Sequence, residues 1–202
     1  MGPIVSALAA RFSVILKPSE FPSATTNLNK TMISDIYPAH LITVVGPDAN
    51  IKNAACWIAR GRFLNGGQTC VATDHVYVHD SVKDDFVKAL TAQVMRMYGA
   101  NPIQSANLAR ITHARQWTRV AGLIADARAN GAAVLTGGQT DEVALKIAPT
   151  VLLDVRDDMD AQQTEIFGPV PPVIRYSDLD KVNGKINDAS IRLRFICSER
   201  VS

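Results

Sequence analysis

The 202-residue sequence predicts an α/β fold with a mainly parallel sheet, and three observations carry that prediction. Short β-branched runs, "HLITVVG", "HVYVH" and "VPPVIRY", have the length and composition of buried strands. Stretches with apolar residues at helical spacing lie between them. The two kinds of segment alternate along the chain, which favours crossover connections and parallel pairing.

Taken in order, "GPIVSALAAR" has small and apolar residues at helical spacing, and "FSVILK" reads as a short strand stopped by Pro18. "KPSEFPSATT" is a loop in which Ser19 or Ser23 can cap a following helix. "HLITVVG" then runs to Gly46, and Asp48 or Asn50 can cap the next helix. In that helix Ile51, Ala54, Ala55, Ile58 and Ala59 form one apolar stripe, continued by Phe63. "NGGQT", residues 65–69, ends it, because paired glycines accept backbone geometry that other residues resist. After "HVYVH", Asp80 or Ser81 caps a helix presenting Val82, Phe86, Leu90 and Val94 on one face. Beyond the "GANP" turn a helix is predicted over about residues 109–130, ended by Asn130-Gly131. "AAVLTGG" reads as strand and turn, "KIAPTVLLDV" as one strand, and "DDMDAQQTEIFG" as a short helix running into Gly168-Pro169. "VPPVIRY" is the next strand and "SDLDKVNGKIND" a capped helix. Residues from about 48 onward read as one domain, and residues 1–47 as part of a second.

Composition excludes several function classes. The 21 basic and 19 acidic residues are well mixed, and no basic block carries interleaved aromatics, so nucleic acid is not an expected partner. No uninterrupted apolar run is long enough to span a bilayer, so no membrane segment is expected. The apolar start lacks a basic leader and is interrupted by Arg11 and Lys17, so it reads as core; the expected compartment is the cytoplasm. Cys56, Cys70 and Cys197 are odd in number, without CxxC spacing or a nearby histidine pair. A disulfide framework and a structural zinc are both disfavoured, and no metal is expected.

Cys70 directly follows "FLNGGQT". A cysteine after a glycine-rich loop suits a nucleophile, because glycines admit a substrate and backbone N–H groups can stabilise an oxyanion. By position alone a small buried hydrophobe is the favoured reading for a lone cysteine. Cys56 reads as packing within its helix, and Cys197 lies in a polar tail. His40, His75, His79 and His113 each read as surface residues, and Asp157, Asp158 and Asp160 as a solvated helix start. Lys17 and Glu20 leave a strand end, where open α/β sheets bind ligands; a loop salt bridge is the alternative. "GGQT" at 137–140 lacks the Lys and Ser/Thr spacing of a phosphate loop.

Three segments, "VILKPSE", "FLNGGQTC" and "EIFGPVPPVIRY", occur in this order and resemble successive motifs of the NAD(P)-dependent aldehyde dehydrogenases. "VKDDFVKAL" and "PTVLLDVRDDM" are most similar to the class 3 and coniferyl aldehyde dehydrogenase branch. The resemblance covers about residues 2–187 and implies oxidation of an aldehyde, coniferyl-aldehyde-like and aromatic in that branch, to its acid with NAD or NADP. It implies a catalytic domain over 48–187, a remnant of a Rossmann-like cofactor domain over 1–47, and a divergent tail over 188–202. It assigns Cys70 as the nucleophile, with its backbone N–H as half of the oxyanion site. Lys17 and Glu20 would hold the adenosine ribose, Glu165 the nicotinamide ribose, and Phe167 would pack near the nicotinamide. A small-molecule aldehyde is the implied substrate, and a homo-oligomer is left open.

The chain also departs from the family pattern. It starts after the family's "PWN" segment, whose asparagine completes the oxyanion site, and "AARFSV" stands where "AAGNSV" is usual. "VVG" runs straight into "PDAN", where the family carries further residues with the glycine-rich cofactor loop and the "LELGGK" segment bearing the general-base glutamate. Cofactor binding and turnover are therefore expected to be impaired, and a fragment that acts only as a non-catalytic or dimer-partner domain is the alternative. Brief iodoacetamide treatment followed by mass-spectrometric mapping is expected to label Cys70 ahead of Cys56 and Cys197. Preferential labelling of Cys56 would reverse the placement of both residues.

Overall fold

Among the described residues six strands form one sheet, in the order Ala133–Thr136, Val151–Leu153, Pro172–Tyr176, Thr73–His79, Leu41–Val45 and Arg194–Cys197, and a two-stranded ribbon pairs Thr140–Asp141 with Lys146–Ile147. The computed structural model describes residues 41–69, 72–188 and 194–197. The helix and strand expected within residues 2–17, with Lys17, Glu20 and Cys70, lie outside the described residues.

The first strand, β1 (Leu41–Val45), pairs in parallel with β2 (Thr73–His79) on one side and β8 (Arg194–Cys197) on the other. The strand that the sequence places before the boundary at residue 47 is thus hydrogen-bonded into the same sheet as the strands after it. β2 is buried along nearly its whole length, as a strand covered on both faces must be. It pairs in parallel with β7 (Pro172–Tyr176), which in turn pairs in parallel with β6 (Val151–Leu153). Among the described strands of this sheet, β3 (Ala133–Thr136) alone runs antiparallel, against β6.

Helix α1 (Ile51–Phe63) begins where the Asn50 side chain accepts a hydrogen bond from the Asn53 amide at 3.1 Å. Its stripe of Ala54, Ala55, Ile58, Ala59 and Phe63 is buried as the spacing predicts. It packs on α2 (Lys83–Tyr98), which buries Phe86, Leu90, Val94 and Tyr98 on one face. Asp80 and Ser81 do not cap α2; they form a short 3₁₀ turn, in which His79 Nδ1 accepts from the Ser81 amide at 3.2 Å. On the other face of the sheet, α3 (Ala114–Ala129) buries Val120, Leu123, Ile124 and Ala127.

The helix predicted from about residue 109 starts only at Ala114, after His113 caps it through the Gln116 amide. Residues just before it are held out of the helix by distant partners: the Ile111 amide donates to Leu145 O at 2.7 Å, and the Thr112 amide to Gln68 Oε1 at 2.9 Å. The single strand expected in "KIAPTVLLDV" is split into β5 (Lys146–Ile147), paired with β4 (Thr140–Asp141), and β6. Pro149, which has no amide to donate, stands at the break, and the Thr150 amide turns to Pro169 O at 2.9 Å. Helix α4 (Asp160–Gln163) stops short of the glycine, leaving residues 164–169 outside helix and strand. Helix α5 (Leu179–Asp188) follows β7.

Tyr98 shows how α1 is held at its end. Its hydroxyl donates to Phe63 O at 2.8 Å, capping a carbonyl that the helix terminus leaves without an intrahelical partner. Burial raises the Tyr98 phenol above its usual pKa, so its contribution is present below about pH 10 and is lost as pH rises through the folded value. Tyr98→Phe is expected to cost about 1 kcal/mol at neutral pH. Urea melts as a function of pH should show this difference from the wild type shrinking above about pH 10.

Candidate active site

The last turn of α1 carries an arginine on the buried stripe. Arg62 is 1% exposed, and its Nη1 donates to Asp74 Oδ1 at 2.9 Å while Nη2 donates to Val170 O at 3.0 Å. Asp74, on β2, is buried too and accepts from the Ile166 amide at 3.2 and 3.3 Å. Burial lowers the Arg62 pKa, opposed first by the Asp74 carboxylate and then by Glu165. An arginine stays charged through such a shift, so the pair remains ionic. It ties the end of α1, the start of β2 and the 166–170 segment to one point.

The chain leaving Arg62 makes three successive left-handed residues: Asn65 at φ 53°, Gly66 at 64° and Gly67 at 72°. Gln68 closes this turn. Its Nε2 donates to Asn65 O and Arg110 O, each at 3.0 Å, and its Oε1 receives the Thr112 amide. A Cβ on Gly67 would stand 2.2 Å from Gly168 O, so only glycine fits there. The "NGGQT" and "EIFGP" segments therefore meet backbone to backbone, about a hundred residues apart in sequence.

On that second segment Ile166 is fully buried, while Glu165 and Phe167 on either side of it are half-buried. Phe167 adopts φ 43°, a conformation costing a non-glycine residue on the order of 1–3 kcal/mol. Two side chains of α3 brace the turn. Arg119 Nη1 donates to Glu165 O at 2.9 Å, its Nη2 to Ile166 O, and Gln116 Nε2 to Phe167 O at 2.9 Å. Of the five residues assigned by resemblance, Glu165 and Phe167 are thus placed on one braced turn beside the glycine loop. Lys17, Glu20 and Cys70 lie outside the described residues.

Two expectations change. His75 is not a surface residue: it is 6% exposed, with Nε2 3.0 Å from Ala161 O and Nδ1 3.4 Å from Asp74 Oδ2. Both faces of β2 are covered, so alternation along the strand brings no residue to solvent there. Cys56 is half-buried rather than enclosed, with its sulfur 3.8 Å from Arg96 Nη2. His79 stands at the rim against the Tyr176 ring, and Asp157 and Asp158 form exposed pairs with Lys185 and Arg156. Sequence reasoning passed over Arg62, Asp74, Gln116 and Arg119. For Arg62 a signal existed: it continues the 55, 58, 59 stripe at helical spacing, where a charge needs a buried partner. Among the described residues no three side chains could hold a metal, and no helix is long and apolar enough to cross a membrane.

Comparison with known proteins agrees with this arrangement. The model of the "Aldehyde dehydrogenase family" matches residues 37–197, so the match extends through β8, beyond residue 187 where the resemblance in sequence stops. The 4,4'-diaponeurosporen-aldehyde dehydrogenase of Staphylococcus aureus is 31% identical over 232 residues, 89% of this chain and 50% of that protein. Aldehyde dehydrogenase family 3 member B1 of Rattus norvegicus is 39% identical over 137 residues, 68% of this chain and 28% of that protein. The structure of a Mycobacterium tuberculosis aldehyde dehydrogenase complexed with NAD+ superposes with a TM-score of 0.72 at 25% identity, over 89% of this chain and 40% of that one. The chain spans at most half the length of each of these relatives. The 232 positions aligned with the S. aureus protein draw on about 180 residues here, so about fifty of them face a gap.

Asp74→Asn leaves the Arg62 charge buried without its counter-ion, and such a loss typically costs about 3–5 kcal/mol. Denaturant unfolding should register a loss of that order. The double variant Arg62→Met/Asp74→Asn should recover part of it, because the stranded charge is gone.

Proposed function

Because the chain belongs to the aldehyde dehydrogenase family, we propose that Cys70 is the nucleophile for oxidation of a small-molecule aldehyde to its carboxylic acid. The Cys70 thiolate adds to the carbonyl carbon, forming a C–S bond and a thiohemiacetal whose oxyanion the Cys70 backbone N–H helps to stabilise. NAD or NADP, when bound, supplies the acceptor for the hydride that leaves this carbon. What remains on Cys70 is a thioester, which water cleaves to the acid and free thiol.

Lys17 and Glu20 are assigned to the adenosine ribose, Glu165 to the hydroxyls of the nicotinamide ribose, and Phe167 to the flat nicotinamide ring. The observation carrying this reading is the contact of Gly67 with the Gly168 carbonyl, which seats the loop leading to Cys70 against the turn bearing Glu165 and Phe167. The nicotinamide end suits its residues: a carboxylate for a diol and an aromatic side chain, both half-buried on one braced turn. An aromatic aldehyde is the proposed substrate class, supported by the class 3 likeness of "VKDDFVKAL" and by the match to a family 3 member. A cytoplasmic homo-oligomer belongs to the same proposal; Trp57, 68% exposed, and Leu64, 65% exposed, support association through the outer side of α1.

The direct run of "VVG" into "PDAN", together with about fifty aligned positions that have no counterpart here, favours a restricted form of the activity. The resemblance puts the general-base glutamate and the glycine-rich cofactor loop there, and general-base help is typically worth about a hundredfold to ten-thousandfold. With an aldehyde this chain then goes no further than the Cys70 thiohemiacetal, and only an activated ester, which brings its own leaving group, acylates Cys70. p-Nitrophenyl acetate should release about one equivalent of nitrophenolate, abolished by Cys70→Ser, with no steady NAD(P)H formation across aromatic and aliphatic aldehydes. Release that persists in Cys70→Ser would remove Cys70 as nucleophile. Steady NAD(P)H formation lost in Cys70→Ser would instead show the complete reaction and retire the restricted form.

A further inference from the structure

The turn that carries Glu165 and Phe167 is gripped from two sides. From within, the buried Asp74 carboxylate accepts the Ile166 amide. From α3, the Arg119 guanidinium donates to the carbonyls of Glu165 and Ile166, and the Gln116 amide donates to that of Phe167. Arg119 Nε also donates to Gln116 Oε1 at 3.1 Å, so the two side chains, three apart on one helix face, act as one unit. Three successive carbonyls are thereby occupied at the residue whose φ is 43°. The Glu165 carboxylate favours the buried Arg62 charge while Arg119 opposes it, so it is the carbonyl bonds of Arg119, and not its charge beside Arg62, that tie it to this turn.

We propose that Arg119, seconded by Gln116, is a positioning residue that holds the Glu165–Phe167 turn in its left-handed conformation and so sets the pose of both side chains toward a ribosyl-nicotinamide. The cofactor part of this inference rests on the function proposed above; the backbone part does not. A guanidinium serves here because its planar fork reaches two adjacent carbonyls at once, whereas an ammonium is a point charge. A role through charge alone would be met equally well by lysine.

The full chain is compared with Arg119→Met, Arg119→Lys, Gln116→Leu and, as a charge control, Arg115→Met, whose side chain is exposed. Hydrogen exchange of the 165–168 amides and saturation-transfer NMR with millimolar nicotinamide mononucleotide are the two readouts. Arg119→Met should speed exchange at 166 and 167 at least tenfold and weaken mononucleotide binding at least tenfold, with the melting transition still cooperative. Arg119→Lys should fall between, and Arg115→Met should match the wild type. Unchanged exchange in Arg119→Met, or full recovery by lysine, overturns the positioning role. Faster exchange with mononucleotide binding unaltered, or no mononucleotide binding by the wild type, overturns the cofactor part and, in the second case, the assignment of Glu165 and Phe167 with it.

Discussion

A buried ion pair at the junction of three chain segments governs the geometry of this molecule. Arg62 closes α1, Asp74 opens β2, and between them they hold Val170 O and the Ile166 amide. Both charges have left water, which costs several kcal/mol per ion before their attraction is counted. The cost is offset by hydrogen bonds in the same place: Arg62 reaches a carboxylate and a carbonyl, and Asp74 reaches a guanidinium and an amide. An apolar pair could fill the volume but could not fix the direction of a strand, a helix end and a turn together. The pair thus exchanges stability for a defined register.

On that register rests the close approach of two backbones. Gly67 can lie against the Gly168 carbonyl only because it has no Cβ, and it reaches that position only through the left-handed run that starts at Asn65. Gln68 locks the run by bonding in both directions, to its own turn and to the segment that leads into α3. Phe167 adopts a left-handed conformation with a side chain attached, and the carbonyl bonds from α3 keep it there. The candidate site is built at two termini, the end of α1 and the turn before β7, and its precision comes from polar bonds to backbone rather than from apolar packing.

Local physics made several elements legible in the sequence. The α1 stripe, the Asn50 cap, the face of α2 and the glycine stop all follow from residues within one or two turns of each other. The start of α3 was not legible, because the amides of Ile111 and Thr112 bond to Leu145 and Gln68, remote in sequence. His75 looked like a rim residue until the second face of β2 was covered. The split at Pro149 was visible as a missing donor, but the ribbon partner that captures Lys146–Ile147 was not.

By itself the sequence determined the alternation that makes an α/β sheet, the helix faces, and the three motifs that mark the family, since each depends on neighbours along the chain. Tertiary structure alone decided that β1 joins β2 and β8 in the same sheet. It also decided that the glycine loop touches the "EIFGP" turn, and that Arg119 and Gln116 hold that turn by its carbonyls. The physical reason is the same in each case. A hydrogen bond to a backbone carbonyl, or the absence of a Cβ, leaves no mark on the identity of the residue it meets, so only the folded chain reveals the partner.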